Sequence, residues 1–213
     1  AAPKAKVVEG NGMMSYSWVQ ELPPLYDYED YTPSWYDDKP HVQVTEISNW
    51  ASLGDWALPL YPVTGVLSKD LQLKVVDWKN KSAGDALKFM QMATQFVQDE
   101  IRYMGIEVGG NSHKPNAPEK VFRQRFGDCK DKTLLLCNIL KSNGIEAYPA
   151  LVNTYKTRKL DELLPSPFDF NHVITVAYIN GKDYWIDATI ANQRGEIPSL
   201  YLPQYGKAFI IKA

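Results

Sequence analysis

The chain has 213 residues, 45% of them hydrophobic and 23% charged, with a net charge of −2. That length supports one sizeable core, or a core with a small added module. The near-neutral balance argues against a nucleic-acid surface, and no apolar run reaches the roughly 18 residues that would insert into a membrane.

Residues 1–6 carry no apolar signal core, which leaves the compartment open. Residues 13–20 alternate in part and read as a strand. Residues 21–40 are rich in Pro, Tyr and Asp; the acids around Tyr26-Asp27-Tyr28-Glu29-Asp30 lack calcium-loop spacing and read as a solvated loop. His41–Ile47 alternates again and reads as a second strand. Neither strand has an obvious partner nearby. Residues 1–48 are therefore expected to be the C-terminal tail of a preceding β-rich domain or a linker, with the core at 49–213.

Ser48 or Asn49 can cap a helix that opens at Trp50. The spacing of Leu87, Phe89, Met90, Ala93, Phe96, Val97 and Ile101 predicts the longest helix over 83–103, with Met90 and Met92 as core filler. A loop punctuated by Gly and Pro follows at 105–117, without the Lys-Ser/Thr pair of a phosphate loop. Pro118 to Phe126 reads as a short helix with Pro in its first turn. Gly127 breaks the chain, and Asp128 can cap the next helix, whose apolar residues from Leu134 to Leu140 predict a central, buried element. Gly144 ends it. Residues 147–152 read as a strand, and 155–169 as a polar loop or short helix bordering a groove. Residues 171–179 and 183–189 read as strands joined by the hairpin signal Asn180-Gly181. Phe209–Ile211 is a candidate final strand.

The two cysteines, Cys129 and Cys137, fall on one predicted helix, about 12 Å apart at ~1.5 Å per residue. A disulfide requires Cα atoms within about 7 Å, so both are expected to be free thiols, Cys137 acting as a small buried hydrophobe. Cys129 differs because it stands before the apolar run, among Gly and charged residues. A helix N-terminus favours a thiolate, and an adjacent imidazolium favours it further.

The hairpin geometry supplies that partner. If Asn180-Gly181 is a two-residue turn, Ile179 pairs with Lys182, His172 faces Thr189 and Ile174 faces Asp187. His172 and Asp187 are then diagonal neighbours on one face, so the carboxylate can orient the imidazole; a turn one residue longer would separate them. Cys129 as nucleophile, His172 as base and acid, and Asp187 as orienter would form an acyl-transfer triad. His113 is the rival base, close to Cys129 in sequence but on a loop, and His41 a weaker one. A zinc site on Cys129, His172 and Asp187 lacks any Cys-x-x-Cys or His-x-x-x-His pair to support it, so no metal or cofactor is expected.

Across Ile101-Arg102-Tyr103, Gly127-Asp128-Cys129-Lys130-Asp131-Lys132, Asn143 to Val152, Asn171-His172-Val173 and Trp185-Ile186-Asp187-Ala188-Thr189, the chain resembles the transglutaminase-like superfamily of papain-like cysteine enzymes. The resemblance covers about residues 50–190. It implies an α+β fold in which the nucleophile helix packs on an antiparallel sheet. It also implies a bacterial protein with a preceding β-sandwich domain, an extracytoplasmic setting and a peptide or protein substrate. The Cys129 backbone N–H would supply part of an oxyanion hole, with Tyr103 or Asn111 as candidates for the second donor. Protein-crosslinking members usually carry an aromatic after the Cys, where this chain has Lys130. Hydrolysis of amide or peptide bonds is therefore expected over crosslinking. The alternative is a non-catalytic peptide- or protein-binding module on the same fold.

Overall fold

A computed structural model describes residues 4–19, 30–33, 35–36, 41–105 and 109–212. The chain opens with a hairpin, β1 (Lys6–Gly10) paired with β2 (Met13–Ser17), turning through Asn11 and Gly12 at φ 53° and 72°. Two positive φ values in a two-residue Asn-Gly loop match the right-handed twist of a hairpin. The strand expected over 13–20 thus has a partner immediately upstream. Every residue of both strands is exposed. The acidic run at Tyr26 to Glu29 lies outside the described residues.

The second expected strand, His41–Ile47, joins no sheet. Its alternation reflects half-burial against a loop instead. Gln43 donates to Leu164 O (3.1 Å) and Asp169 Oδ2 (2.7 Å) and accepts from Leu164 N (2.7 Å). Thr45 Oγ1 donates to Pro165 O at 2.7 Å. Alternate residues point inward because the segment is extended, while side chains rather than a ladder fasten it.

Helix α1 (Trp50–Ala57) is capped by Asn49, which accepts from Ser52 N at 2.9 Å. The helical patterning beyond it divides into α2 (Lys69–Ser82) and α3 (Ala86–Glu100). The expected start at 83 is wrong because Ala83 and Gly84 take left-handed φ values of 51° and 87° and stop α2. Asp85 then caps α3 through Leu87 N and Lys88 N. Strand β3 (Arg102–Tyr103) pairs in parallel with β4 (Phe126–Gly127), which follows α4 (Pro118–Gln124). Gly127 is therefore part of a short sheet rather than a simple break.

Helix α5 (Cys129–Ser142) is the central element. Its face at Leu135, Leu136, Ile139 and Leu140 is fully buried among Phe89, Met90, Val97 and Val121 of the other helices and Ala147, Ala177 and Ile186 of the sheet. The sheet runs in the order β7 (Lys182–Ile186), β6 (His172–Ile179), β5 (Glu146–Val152), β8 (Ala208–Ile210), all antiparallel. One face covers α5. The other buries Ala150, Val152, Ile174 and Val176 beneath Tyr148, Tyr178, Trp185 and Tyr205. This is an α+β fold with the helix packed on an antiparallel sheet. Among the described residues no helix is long and apolar enough to cross a membrane.

Candidate active site

The first turn of α5 is fixed by a reciprocal cap. Asp128 Oδ1 accepts from Lys130 N (2.9 Å) and Asp131 N (3.1 Å), and Asp131 Oδ2 accepts from Asp128 N (3.3 Å). Asp131 Oδ1 also accepts from Asn116 N at 2.6 Å, tying in the segment before α4. Gly127 makes room for this arrangement: a Cβ there would lie 2.7 Å from Asp131 Cβ. Lys130, whose side chain is almost wholly buried, donates to Asp128 Oδ2 at 2.8 Å. Cys129 occupies the first helical position, 2% exposed, at the positive end of the helix dipole. Thr133 Oγ1 donates to Val173 O (3.1 Å), joining this end of α5 to the start of β6.

The hairpin register matches the two-residue turn, with Ile179 opposite Lys182 and Thr175 opposite Ile186. The ladder ends at Ile186, short of the expected 189. Asp187 is then held by the turn that follows: its Oδ1 accepts from Thr189 N (2.8 Å) and Thr189 Oγ1 (2.6 Å). Its Oδ2 meets His172 Nε2 at 2.8 Å and accepts from Tyr205 Oη at 2.5 Å. The His172 and Tyr205 rings lie 5.5 Å apart. From below, Gln98 Nε2 donates to Asp187 O at 2.9 Å.

Burial resists charge on His172, but hydrogen bonds to Asp187 and to Cys129, together with the negative charge of both, prevail and hold the imidazole up to about 9. Burial likewise resists charge on Asp187, and the donors His172, Thr189 and Tyr205 overcome it, holding the carboxyl down to about 2. Asp187 is therefore an ionised acceptor, and Nε2 carries the hydrogen between them. That leaves Nδ1 for the sulfur. The structure thus brings Cys129, His172 and Asp187 to one site, His172 hydrogen-bonded to Asp187 and sharing a cavity wall with Cys129. Cys137 is also a free, buried thiol, pushed up to about 12 by burial, with Thr175 beside it.

Cys129 and His172 open onto a cavity of about 60 Å³ whose walls include Trp56, Tyr61, His113 and Phe170. His113, the rival base, lines the same cavity and stands edge-on to Trp56 (5.3 Å) and Phe168 (5.5 Å), while the imidazole hydrogen-bonded to Asp187 is that of His172. His41 is exposed and does not line this cavity. Tyr103 is 48% exposed and does not line it. The Asn111 side chain lies outside the described residues. Among those residues, no group of three or more His, Cys, Asp or Glu is arranged to hold a metal ion.

Several site residues escaped sequence reasoning. Thr189 follows Asp187 by two residues, the spacing of a carboxylate that bonds its own downstream backbone, and that signal was present. Tyr205 lies 18 residues from Asp187 in an irregular segment, and Tyr61 follows a one-turn helix far upstream. Neither has a local pattern pointing to the site. Lys132, fully buried, donates to Ile101 O (2.6 Å) and Gln98 O (3.3 Å) at the end of α3. Burial lowers it to about 8 against the pull of Asp187 and Asp99.

A family model described as the transglutaminase-like superfamily matches residues 74–190. The fold is similar to the crystal structure of a "putative protease" from Parabacteroides distasonis, with a TM-score of 0.70 and 17% identity over 87% of this chain. This chain spans 36% of that protein's length. A "putative cysteine protease" from Cytophaga hutchinsonii aligns with a TM-score of 0.44 and 22% identity, over 62% of this chain and 42% of that one. No curated protein matches the chain.

Proposed function

The chain belongs to the transglutaminase-like superfamily, and from that premise we propose that it is a cysteine-dependent acyl-transfer enzyme acting on amide or peptide bonds. The observation that carries this reading is His172, bonded to Asp187 through Nε2 and lining one cavity with Cys129. The proposed catalytic residues are Cys129, His172 and Asp187.

In the proposed cycle, the Cys129 thiolate attacks the substrate carbonyl carbon, and the carbonyl π electrons move to oxygen. The tetrahedral intermediate collapses by reforming the carbonyl and breaking the C–N bond. The imidazolium of His172 delivers its proton to the departing nitrogen, so an amine leaves and a thioester remains. Neutral His172 then takes a proton from water as it attacks the thioester, releasing a carboxylic acid and restoring the thiolate–imidazolium couple. Asp187 stays ionised and keeps the proton on Nε2 in every step.

Lys130 supports hydrolysis over crosslinking. At the position where crosslinking relatives present an aromatic, this chain turns a lysine back onto its own helix cap. Peptides or proteins are the proposed substrates, reached through the cavity beside Trp56 and Phe170. The full exposure of β1 and β2 supports reading residues 1–48 as the end of a preceding β-rich domain.

The test is intact-protein mass spectrometry during turnover of p-nitrophenyl acetate. An acetyl adduct on Cys129 that is absent in Cys129→Ser supports the reading, and no adduct on the wild type refutes it. Added lysine methyl ester then partitions the thioester: mainly acetate supports hydrolysis, and mainly acetyl-lysine ester assigns crosslinking chemistry.

A further inference from the structure

We propose that the hydroxyl of Tyr61 is the second oxyanion donor of this site, acting beside the backbone N–H of Cys129. The inference rests on the acyl-transfer reading above and adds a catalytic residue to it.

An oxyanion hole needs donors that are fixed beforehand and directed at the carbonyl oxygen as it becomes negative. The first is supplied by helix geometry. The opening N–H groups of a helix have no intrahelical acceptor. Asp128 takes those of Lys130 and Asp131, and no acceptor among the described residues takes that of Cys129. This N–H is available beside the sulfur.

The second donor must be a side chain on the same cavity wall. Asn171 is engaged with Thr154 through both ends of its amide. Lys130 is paired with Asp128, and His172 lies between Asp187 and Cys129. Trp56 forms the half-buried outer wall, edge-on to His113. Tyr61 is different. Its ring is 5% exposed and packs with Cys129, Leu134, Leu151 and Val173. It lines the cavity, and its hydroxyl has no hydrogen-bond partner among the described residues.

The ring is held without help from that hydroxyl. A one-turn helix at Leu58–Leu60 leads into Tyr61, whose N–H bonds Leu58 O at 3.2 Å. Burial raises the phenol well above its ordinary value, and the negative charge of Cys129, Asp128 and Asp131 raises it further. The group therefore stays protonated, as a donor must. A protonated phenol on the cavity wall, packed with the nucleophile, has no acceptor among the described residues. The oxyanion formed at Cys129 would provide one.

The test compares two reagents on Tyr61→Phe and wild type. Displacement of iodide from iodoacetamide by the thiolate creates no oxyanion, whereas acylation by p-nitrophenyl acetate passes through one. The expected result is an acylation rate lowered by at least about tenfold, with the alkylation rate and the thermal midpoint unchanged. Equal acylation rates in the two proteins would overturn the assignment. Parallel loss of both rates would also overturn it, placing Tyr61 on the thiolate instead. A wild type that alkylates but never acylates would remove the acyl-transfer reading itself, and the oxyanion donor with it.

Discussion

Asp187→Asn is the substitution whose outcome follows most directly from the hydrogen bonds at the site. Asparagine keeps the size of the side chain but replaces one oxygen with an amino group. Thr189 N can only donate, and it bonds Asp187 Oδ1. The amide oxygen must therefore take the Oδ1 position, placing the NH₂ group where Oδ2 met His172 Nε2. Two donors would then face each other. The imidazole relieves the clash by carrying its proton on Nδ1, the nitrogen turned toward Cys129, and it can no longer accept a proton there. The lost charge adds to this: the fall of Asp187 from 3.8 to about 2 corresponds to about 2 kcal/mol of stabilisation by its donors at about 1.4 kcal/mol per tenfold. Wrong-tautomer orientation in a triad costs up to about 10⁴-fold, so acylation by p-nitrophenyl acetate should fall by about 10² to 10⁴. The assay is stopped-flow release of nitrophenolate, with circular dichroism confirming the fold. An Asp187→Asn variant within about tenfold of wild type would refute the tautomer argument.

The pH profile follows from the same pair. Acylation should decline above about 9 as His172 loses its proton; an activity that keeps rising past that value would place the imidazolium elsewhere. Stability carries a related sign. Between 6.5 and about 9 the native state holds a proton at His172 that the unfolded chain has released, so stability is fully present below 6.5 and falls through this window. Lys132, lowered to about 8, acts oppositely between there and 10.5, so the decline in urea midpoint should be steepest from 6.5 to 8. Lys132→Met leaves the carbonyls of Gln98 and Ile101 without their buried donor and should cost about 2–4 kcal/mol in urea unfolding; an unchanged midpoint would show that the ammonium contributes nothing net. Gly127→Ala drives a methyl to 2.7 Å from Asp131 Cβ and should break the reciprocal cap, lowering stability by about 1–2 kcal/mol together with Cys129 alkylation. A variant indistinguishable from wild type in both readouts would mean that the cap does not position the thiol.

Much of the α5 and β6–β7 region was legible because its signals are local. Asp128 before an apolar run is a cap wherever the helix docks, and Asn180-Gly181 sets a register that carries the partner of Ile179 through to Thr175. The proximity of His172 and Asp187 follows from that register, although Asp187 lies one residue past the ladder and depends on Thr189 for its final orientation. What was missed is held by long-range contacts. The 41–47 segment alternates like a strand, yet Gln43 and Thr45 attach it to a loop more than a hundred residues away. Tyr205 and Tyr61 reach the site from irregular stretches with no period to read. The start of α3 at Ala86 rather than at 83 turned on a left-handed backbone at Ala83–Gly84 that apolar spacing does not report. The Asn11-Gly12 hairpin carried the same turn signal as Asn180-Gly181, and the exposed strands beside it, Lys6–Gly10 and Met13–Ser17, lack the apolar face that made the later hairpin conspicuous.

The central claim is that Cys129 and His172 act as a couple. Its most direct test is the rate of Cys129 alkylation by iodoacetamide at about pH 6, in wild type and in His172→Ala, because a free thiol is almost entirely protonated there while an ion-paired one is not. Alkylation located at Cys129 by peptide mass spectrometry and slowed by about tenfold or more in His172→Ala is the predicted result. Equal rates in the two proteins would contradict the account, since the imidazole would then have no hold on the sulfur.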